Sequence, residues 1–222
     1  MMKVLVLGAS RGIGLELVRQ YRADGHAVTA TARDDAGASR LAALGAHPLT
    51  LDVADLASCA GLAWSLDGEA FDAVWLVAGV YGPRTQGLEP PLPADFDRVM
   101  HTNVLAAMRL LPLVAGHLAP LARIGVLSTR MASIGSRSAS SGWLYRASKA
   151  AMNSLVKDAS LGLAGKAICV AFHPGWVKTD MGGAQATLAV EQSVADLRRT
   201  LHGVGAESNG SFLNHDGQPI AW

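Results

Sequence analysis

The chain has little cysteine, few aromatic side chains and little charge. Two cysteines, Cys59 and Cys169, in 222 residues supply neither a disulfide framework nor a metal-ligand spacing, so a reducing, cytoplasmic setting is the simplest reading. The seven histidines are dispersed, with no pair at ligand spacing beside an acidic residue, and no metal is expected. Lys and Arg total 19 against 18 Asp and Glu, a net charge of +1 with both signs scattered, which argues against a nucleic-acid binder. No apolar run approaches the roughly 20 residues of a membrane helix, so no membrane partner is expected. The first apolar run, Val4 to Leu7, breaks at Gly8, well below the roughly 7–15 residues of a secretory signal core.

What is present is aliphatic bulk. Half of the residues are hydrophobic and 17% are charged, the balance of a compact globular chain, and one domain over 1–222 can bury a single substantial core. Short aliphatic or β-branched runs, "KVLVLG", "HAVTATA", "AHPLTLD", "FDAVWLVAG", "IGVLS", "KAICVAFH" and "SFLN", alternate with helical patterns near 13–24, 35–44, 55–65, 94–117, 143–164 and 187–201. Strands apolar on both faces and separated by helices predict an α/β, Rossmann-like, doubly wound parallel sheet of about seven strands with helices on both faces. In such sheets ligands lie beyond the carboxyl ends of the strands. Residues just after each strand are therefore the candidates.

After the first strand comes "GASRGIG", with Gly8, Gly12 and Gly14 and, between them, Ser10, Arg11 and Ile13. Glycines there let the chain turn tightly and let a pyrophosphate approach the free N–H groups of a helix N-terminus. The second strand should end in an acidic residue if the adenosine ribose carries a free 2′-hydroxyl. That place holds Ala32, followed by Arg33. Arg11 and Arg33 together suit a 2′-phosphate, hence NADP; with Asp34 as the ribose ligand, shifted by one, NAD would be the alternative. Asp52 and Val53 end the third strand and face the adenine, with Asp52 also a candidate helix N-cap.

"GWLYRASKAAMNSL" places Tyr145 four residues before Lys149, one turn apart on one helix face. The spacing alone fits a catalytic couple or two surface side chains. Chemistry gives the first reading content: a carbonyl receiving hydride needs a proton donor, and a neighbouring ammonium would lower the phenol from its ordinary value of about 10.

Taken in order, "GASRGIG", Asp52-Val53, "VAGVYG", "HTNV", "VLSTRMAS", "YRASK" and "HPGWVKTDMGG" resemble the short-chain dehydrogenase/reductases over almost the whole length. The serine-rich turn and the tail are most similar to the carbonyl reductase branch. The resemblance implies an oxidoreductase moving hydride between nicotinamide and a small carbonyl or alcohol substrate. Tyr145 would be the acid, Lys149 the electrostatic and ribose partner, and Asn103 a helix-bending relay residue. Thr129 stands where the family has its orienting serine, with Ser128 the alternative if the strand end shifts by one. The family's Asn-Asn-Ala-Gly reads Leu76-Val77-Ala78-Gly79 here, which keeps close approach at Ala78 and Gly79 but loses two amides. Pro174 and Gly175 would shape a turn, Val177 would present backbone to the carboxamide, and Thr179 would reach the pyrophosphate, with Asp180 the N-cap of the next segment.

Only about thirty residues separate Gly182 from the last strand, so an open substrate pocket is expected. Its candidate walls are Tyr81, Met131, Ser133, Trp143, Trp176 and Met181, which fit the core equally well, and Arg130 is the candidate for a substrate carboxylate. The family's helix pairing implies a homodimer or homotetramer. Because of the Thr129 and Leu76-Val77 departures, a dinucleotide-binding regulatory protein with little turnover is the alternative function.

Overall fold

The computed structural model describes all 222 residues. Seven parallel strands form one sheet in the order β3-β2-β1-β4-β5-β6-β7. The strands are β1 (Lys3–Leu7), β2 (Ala27–Ala32), β3 (His47–Thr50), β4 (Phe71–Leu76), β5 (Leu118–Leu127), β6 (Ala167–His173) and β7 (Ser211–Asn214). The helices are α1 (Gly12–Ala23), α2 (Asp35–Ala43), α3 (Leu56–Ser65), α4 (Pro93–Met100), α5 (Ala106–Ala115), α6 (Trp143–Gly162) and α7 (Val190–Gly203). Strand order reverses between β1 and β4, which opens a crevice at the carboxyl edge.

Alternation along the strands builds two cores. Leu5, Leu7, Val74 and Leu76 face Leu110 and Val114 of α5 and Met152 and Val156 of α6. Val4, Val6, Ala73 and Trp75 face Leu17 of α1, Leu41 of α2 and Leu197 of α7. The central strands β1 and β4 are thus apolar on both sides, as a sheet sandwiched between helices requires.

Three boundaries differ from the sequence reading. The expected helix 94–117 is α4, a π-helical turn His101–Leu105 and α5; an extra residue in that turn turns the Asn103 side chain inward, where it is fully buried, in keeping with the use of π-bulges at functional sites. Strand β5 starts six residues earlier than "IGVLS", because Leu118 already pairs with Phe71 before the register jumps to Ala73 and Arg123. Pro120 and the positive φ of Leu121 (58°) mark that irregularity, which hides the strand from a propensity reading. Strand β4 ends at Leu76, so 77–79 is a loop at the carboxyl edge of the sheet and lines the cleft there.

Candidate active site

The glycine loop is held by sterics. A Cβ at Gly8 would stand 2.6 Å from Ala78 N, and one at Gly14 would stand 2.3 Å from Gly8 O, so neither position tolerates a side chain. Gly8 N–H donates to Thr31 Oγ1 at 2.9 Å and Ala9 N–H to Thr31 O at 2.8 Å, which pins the turn to β2. Helix α1 then opens with no side-chain cap, leaving its first N–H groups free for an anion.

A cleft of about 560 Å³ runs from this loop along the carboxyl edge of the sheet. Gly8, Ser10, Arg11, Gly12 and Ile13 line one wall, and Arg33, Asp52 and Val53 line the adenosine end. Asp34 caps α2 by accepting from Gly37 N–H at 2.7 Å, so its carboxylate is committed and Arg33 is left facing the cleft. Arg40 joins this corner: its Nε donates to Ser10 O at 3.1 Å. Arg40 sits on the outer part of α2, and no local pattern in the sequence signals it. Asp52 is not the cap of α3, which is Asp55, accepting from Ser58 N–H; Asp52 closes its own turn through Ala54 N–H at 2.9 Å. Asp180 is not a helix cap either. It pairs with Arg11 at 3.0 Å, and α7 begins ten residues later behind Ala189.

At the other end, α6 lays Tyr145, Lys149 and Asn153 along its buried face. Lys149 is 4% exposed, and its ammonium donates to Leu127 O at 2.8 Å. A Cβ at Gly79 would come within 3.2 Å of Lys149 Nζ and 3.3 Å of Asn103 Oδ1, so glycine there keeps the lysine in place. Burial lowers the Lys149 pKa from 10.5 to about 8. The expectation that this lysine lowers the Tyr145 pKa is corrected by the structure. Burial, and then the neighbouring Tyr81, push the phenol well above 10, because the protein alone desolvates the hydroxyl and supplies no charge at it.

Asn103 is spent on architecture. Its Oδ1 accepts from Val80 N–H, while its Nδ2 donates to Val80 O, both at 2.8 Å, and to Ser148 Oγ at 2.9 Å. Its side chain therefore ties the π turn to the loop after β4 and to α6. The two hydroxyls after β5 divide clearly. Ser128 donates to Asn153 Oδ1 at 2.5 Å, which spends its proton. Thr129 accepts from Met131 N–H at 3.2 Å and keeps its proton for another acceptor. Neither Asn153 nor its role is visible in the sequence.

Pro174 and Thr179 line the cleft, as do Ala78 and Gly79. Gly175 has φ 87° and packs against Leu188, making the turn without reaching the cleft. Val177 is buried and bridges to Leu188. Among the candidate walls, Tyr81 stacks on Tyr145 with ring centroids 4.5 Å apart, and a Cβ at Gly142 would meet both Tyr81 Oη and Met131 Cε. Met181 lines the cleft, whereas Trp176 is 53% exposed, with its indole N–H on Gly182 O. Trp143 opens α6 directly behind Gly142. Ser133 is no wall: it is fully buried, accepting from Ser136 N–H at 3.0 Å and donating to Trp222 O at 3.4 Å.

The profile of the short chain dehydrogenase family matches residues 2–188, and the chain belongs to that family. It is 28% identical to the carbonyl reductase Sniffer of D. melanogaster, with a TM-score of 0.92 and all of both chains covered. A short-chain dehydrogenase/reductase from Burkholderia multivorans, solved with bound NADP, gives 30% identity and a TM-score of 0.91 over 100% of this chain and 99% of its own. The C-signal protein of Myxococcus xanthus is 34% identical over 132 residues, which is 58% of this chain and 80% of that protein. The chain is thus an oxidoreductase, and the regulatory alternative gives way to the carbonyl reductases that match from end to end.

Proposed function

We infer that the chain is an NADP(H)-dependent reductase of small carbonyl compounds, with Tyr145 and Lys149 at its centre. The observation that carries this reading is the cleft itself: a buried tyrosine and lysine line one end, and Arg33, which pairs with no carboxylate, lines the other. The residues fit a dinucleotide. Gly8 and Gly14 have no room for a Cβ, α1 offers free N–H groups, and Arg33 offers a guanidinium to a 2′-phosphate.

When bound, the nicotinamide supplies the hydride. Tyr145 then holds the proton that the carbonyl oxygen takes up as negative charge develops there. Its raised pKa keeps it protonated, which suits a donor. Lys149, one helical turn from Tyr145, offers its remaining N–H donors to the nicotinamide ribose. An anionic group bound in the cleft would favour its charged form against the burial that lowers its pKa. Thr129 has a hydroxyl proton free to orient the same carbonyl oxygen, whereas Ser128, which lines the cleft, has committed its proton to Asn153. Asn103 holds the π turn that keeps Gly79 and Lys149 in register.

The finer assignments belong to the same proposal. Val177, whose N–H donates to no protein group, suits the carboxamide, and Thr179 and Ser10 suit the pyrophosphate. The family's helix pairing supports a homodimer or homotetramer, and the low cysteine content supports a cytoplasmic setting. Met108 on α5 and Leu161 on α6 are exposed apolar side chains on the helices that would pair. Sedimentation yielding only a 23.1 kDa species would refute that assembly. The direct test of function is Tyr145→Phe, which should cut aldehyde turnover on the order of 10²- to 10⁴-fold while NADPH binding, read by tryptophan quenching, stays intact. Unchanged turnover would remove Tyr145 from the chemistry.

A further inference from the structure

A cation that the reaction itself does not need lies at the rim of the cleft, bonded to Met181, which lines it. Arg84 lies in the loop between β4 and α4, with its guanidinium carbon 5.0 Å from the centroid of the Tyr81 ring. That ring stacks on Tyr145, 4.5 Å away. One Arg84 N–H donates to Met181 O at 3.2 Å. The guanidinium is therefore held at two points, by a cation–π contact and a single hydrogen bond, and four of its five N–H donors remain uncommitted. No carboxylate pairs with it: the acidic partners of the protein's ion pairs are Glu16, Asp24, Glu69, Asp95, Asp180 and Asp196. Arg146 stands near the same loop, but it is buried and spends its donors on Ser141 O and Met131 O. Arg84 is the exposed one, fixed beside the catalytic ring and open to a ligand.

We propose that Arg84 is a specificity-determining residue that binds a carboxylate on the substrate, so that the enzyme acts on anionic carbonyl compounds. This rests on the reading of Tyr145 as the proton donor. The Tyr81 ring contacts both the guanidinium, at 5.0 Å, and the Tyr145 ring, at 4.5 Å, so a fixed positive charge lies within about 10 Å of the ring that carries the proton donor. A rigid substrate that carries a carboxylate across an aromatic ring from its carbonyl is of the size to meet both. A neutral substrate would leave the guanidinium unused, and a carboxylate gains charge-assisted, bidentate hydrogen bonds from a fork already held in place. Arg130, the candidate from sequence, is exposed too, but it begins the short 3₁₀ turn after Thr129, and the cation–π contact to the Tyr81 ring comes from Arg84.

The test compares 4-carboxybenzaldehyde with its methyl ester, two aldehydes that differ in charge, in NADPH oxidation assays. The wild-type chain should favour the acid in kcat/KM. Arg84→Ala should lower that acid-to-ester ratio by ten-fold or more, mainly through KM of the acid, and Arg84→Lys should restore part of it. Arg137→Ala, an exposed arginine elsewhere on the surface, should leave the ratio alone. If Arg84→Ala slows both aldehydes alike, the residue only ties its loop to Met181 and the proposal is overturned. A ratio that falls with Arg130→Ala and not with Arg84→Ala overturns the assignment as well. Should neither aldehyde be reduced, the same pair is compared by tryptophan quenching of the NADPH-loaded protein, where tighter binding of the acid that Arg84→Ala abolishes supports the proposal and equal binding refutes it. Failure of the underlying reading looks different: no carbonyl of either charge is reduced, and Tyr145→Phe changes nothing.

Discussion

The two ends of the cleft are built on opposite electrostatic terms. At the adenosine end Arg33 and Arg40 are exposed, so their charges cost little to maintain and are screened by salt over about 10 Å. At the other end Tyr145 and Lys149 are buried, and burial is the leading cause that moves both pKa values in the direction that favours neutrality. The contrast teaches where binding strength and chemistry are separated. The exposed end can recognise a phosphate without perturbing the fold, whereas the buried end holds groups that the fold would rather not contain and that a ligand must make comfortable.

The sharpest way to break the comparison is Lys149→Met. In the cofactor-free chain the lysine pKa falls from 10.5 to about 8, so below pH 8 the folded state carries a charge that the unfolded chain holds more easily. Between pH 8 and 10.5 the unfolded chain binds more protons, and stability from this group rises with pH. Near pH 7 the burden is about 3 kcal/mol, partly offset by the bond to Leu127 O at about 1–2 kcal/mol. Lys149→Met should therefore raise the melting temperature of the cofactor-free protein at pH 7 by several degrees, with the gain fading toward pH 10.5, and should cut kcat/KM on the order of 10²-fold. A variant that melts lower than wild type at pH 7 would show that the lysine is not a stored strain.

How much of this was legible differs between the ends. The glycine loop, Arg33 and the Tyr145–Lys149 couple stand in local patterns, because turn geometry and one helical step fix them. Arg40 and Arg84 were invisible as site residues, since only tertiary folding brings α2 to Ser10 and the β4–α4 loop to Tyr81. The direction of the Tyr145 shift was misread for the same reason: sequence spacing shows which charge is one turn away, and burial is decided by the whole fold. Ser133, read as a wall from its place near a strand end, is consumed by the segment around Trp222.

A smaller effect sharpens the exposed end. Arg33→Ala should weaken NADPH binding roughly 10- to 100-fold and leave NADH nearly unchanged, as loss of a charge-assisted phosphate contact requires. Arg40→Ala, acting on the same phosphate and on Ser10 O, should give a weaker loss in the same direction. Both should shrink as ionic strength rises. Titration with the two cofactors at low and high salt checks this, and equal losses for NADH and NADPH would move both arginines away from the 2′-phosphate.

The smallest effect concerns Arg11 and Asp180, which meet at 3.0 Å across the cleft mouth with side chains 71% and 75% exposed. A pair this wet contributes roughly 0–1 kcal/mol to stability, so Asp180→Asn should leave the melting temperature within about a degree or two. Its consequence lies in binding. Asp180 neutralises a guanidinium that belongs to the glycine loop and adds negative charge beside the place of the phosphates. Removing it should tighten NADPH binding by a few fold at low salt, with the gain lost near 0.5 M salt as screening removes the repulsion. Weaker binding in Asp180→Asn would mean instead that the pair holds the loop and the segment after β6 in the shape the dinucleotide needs.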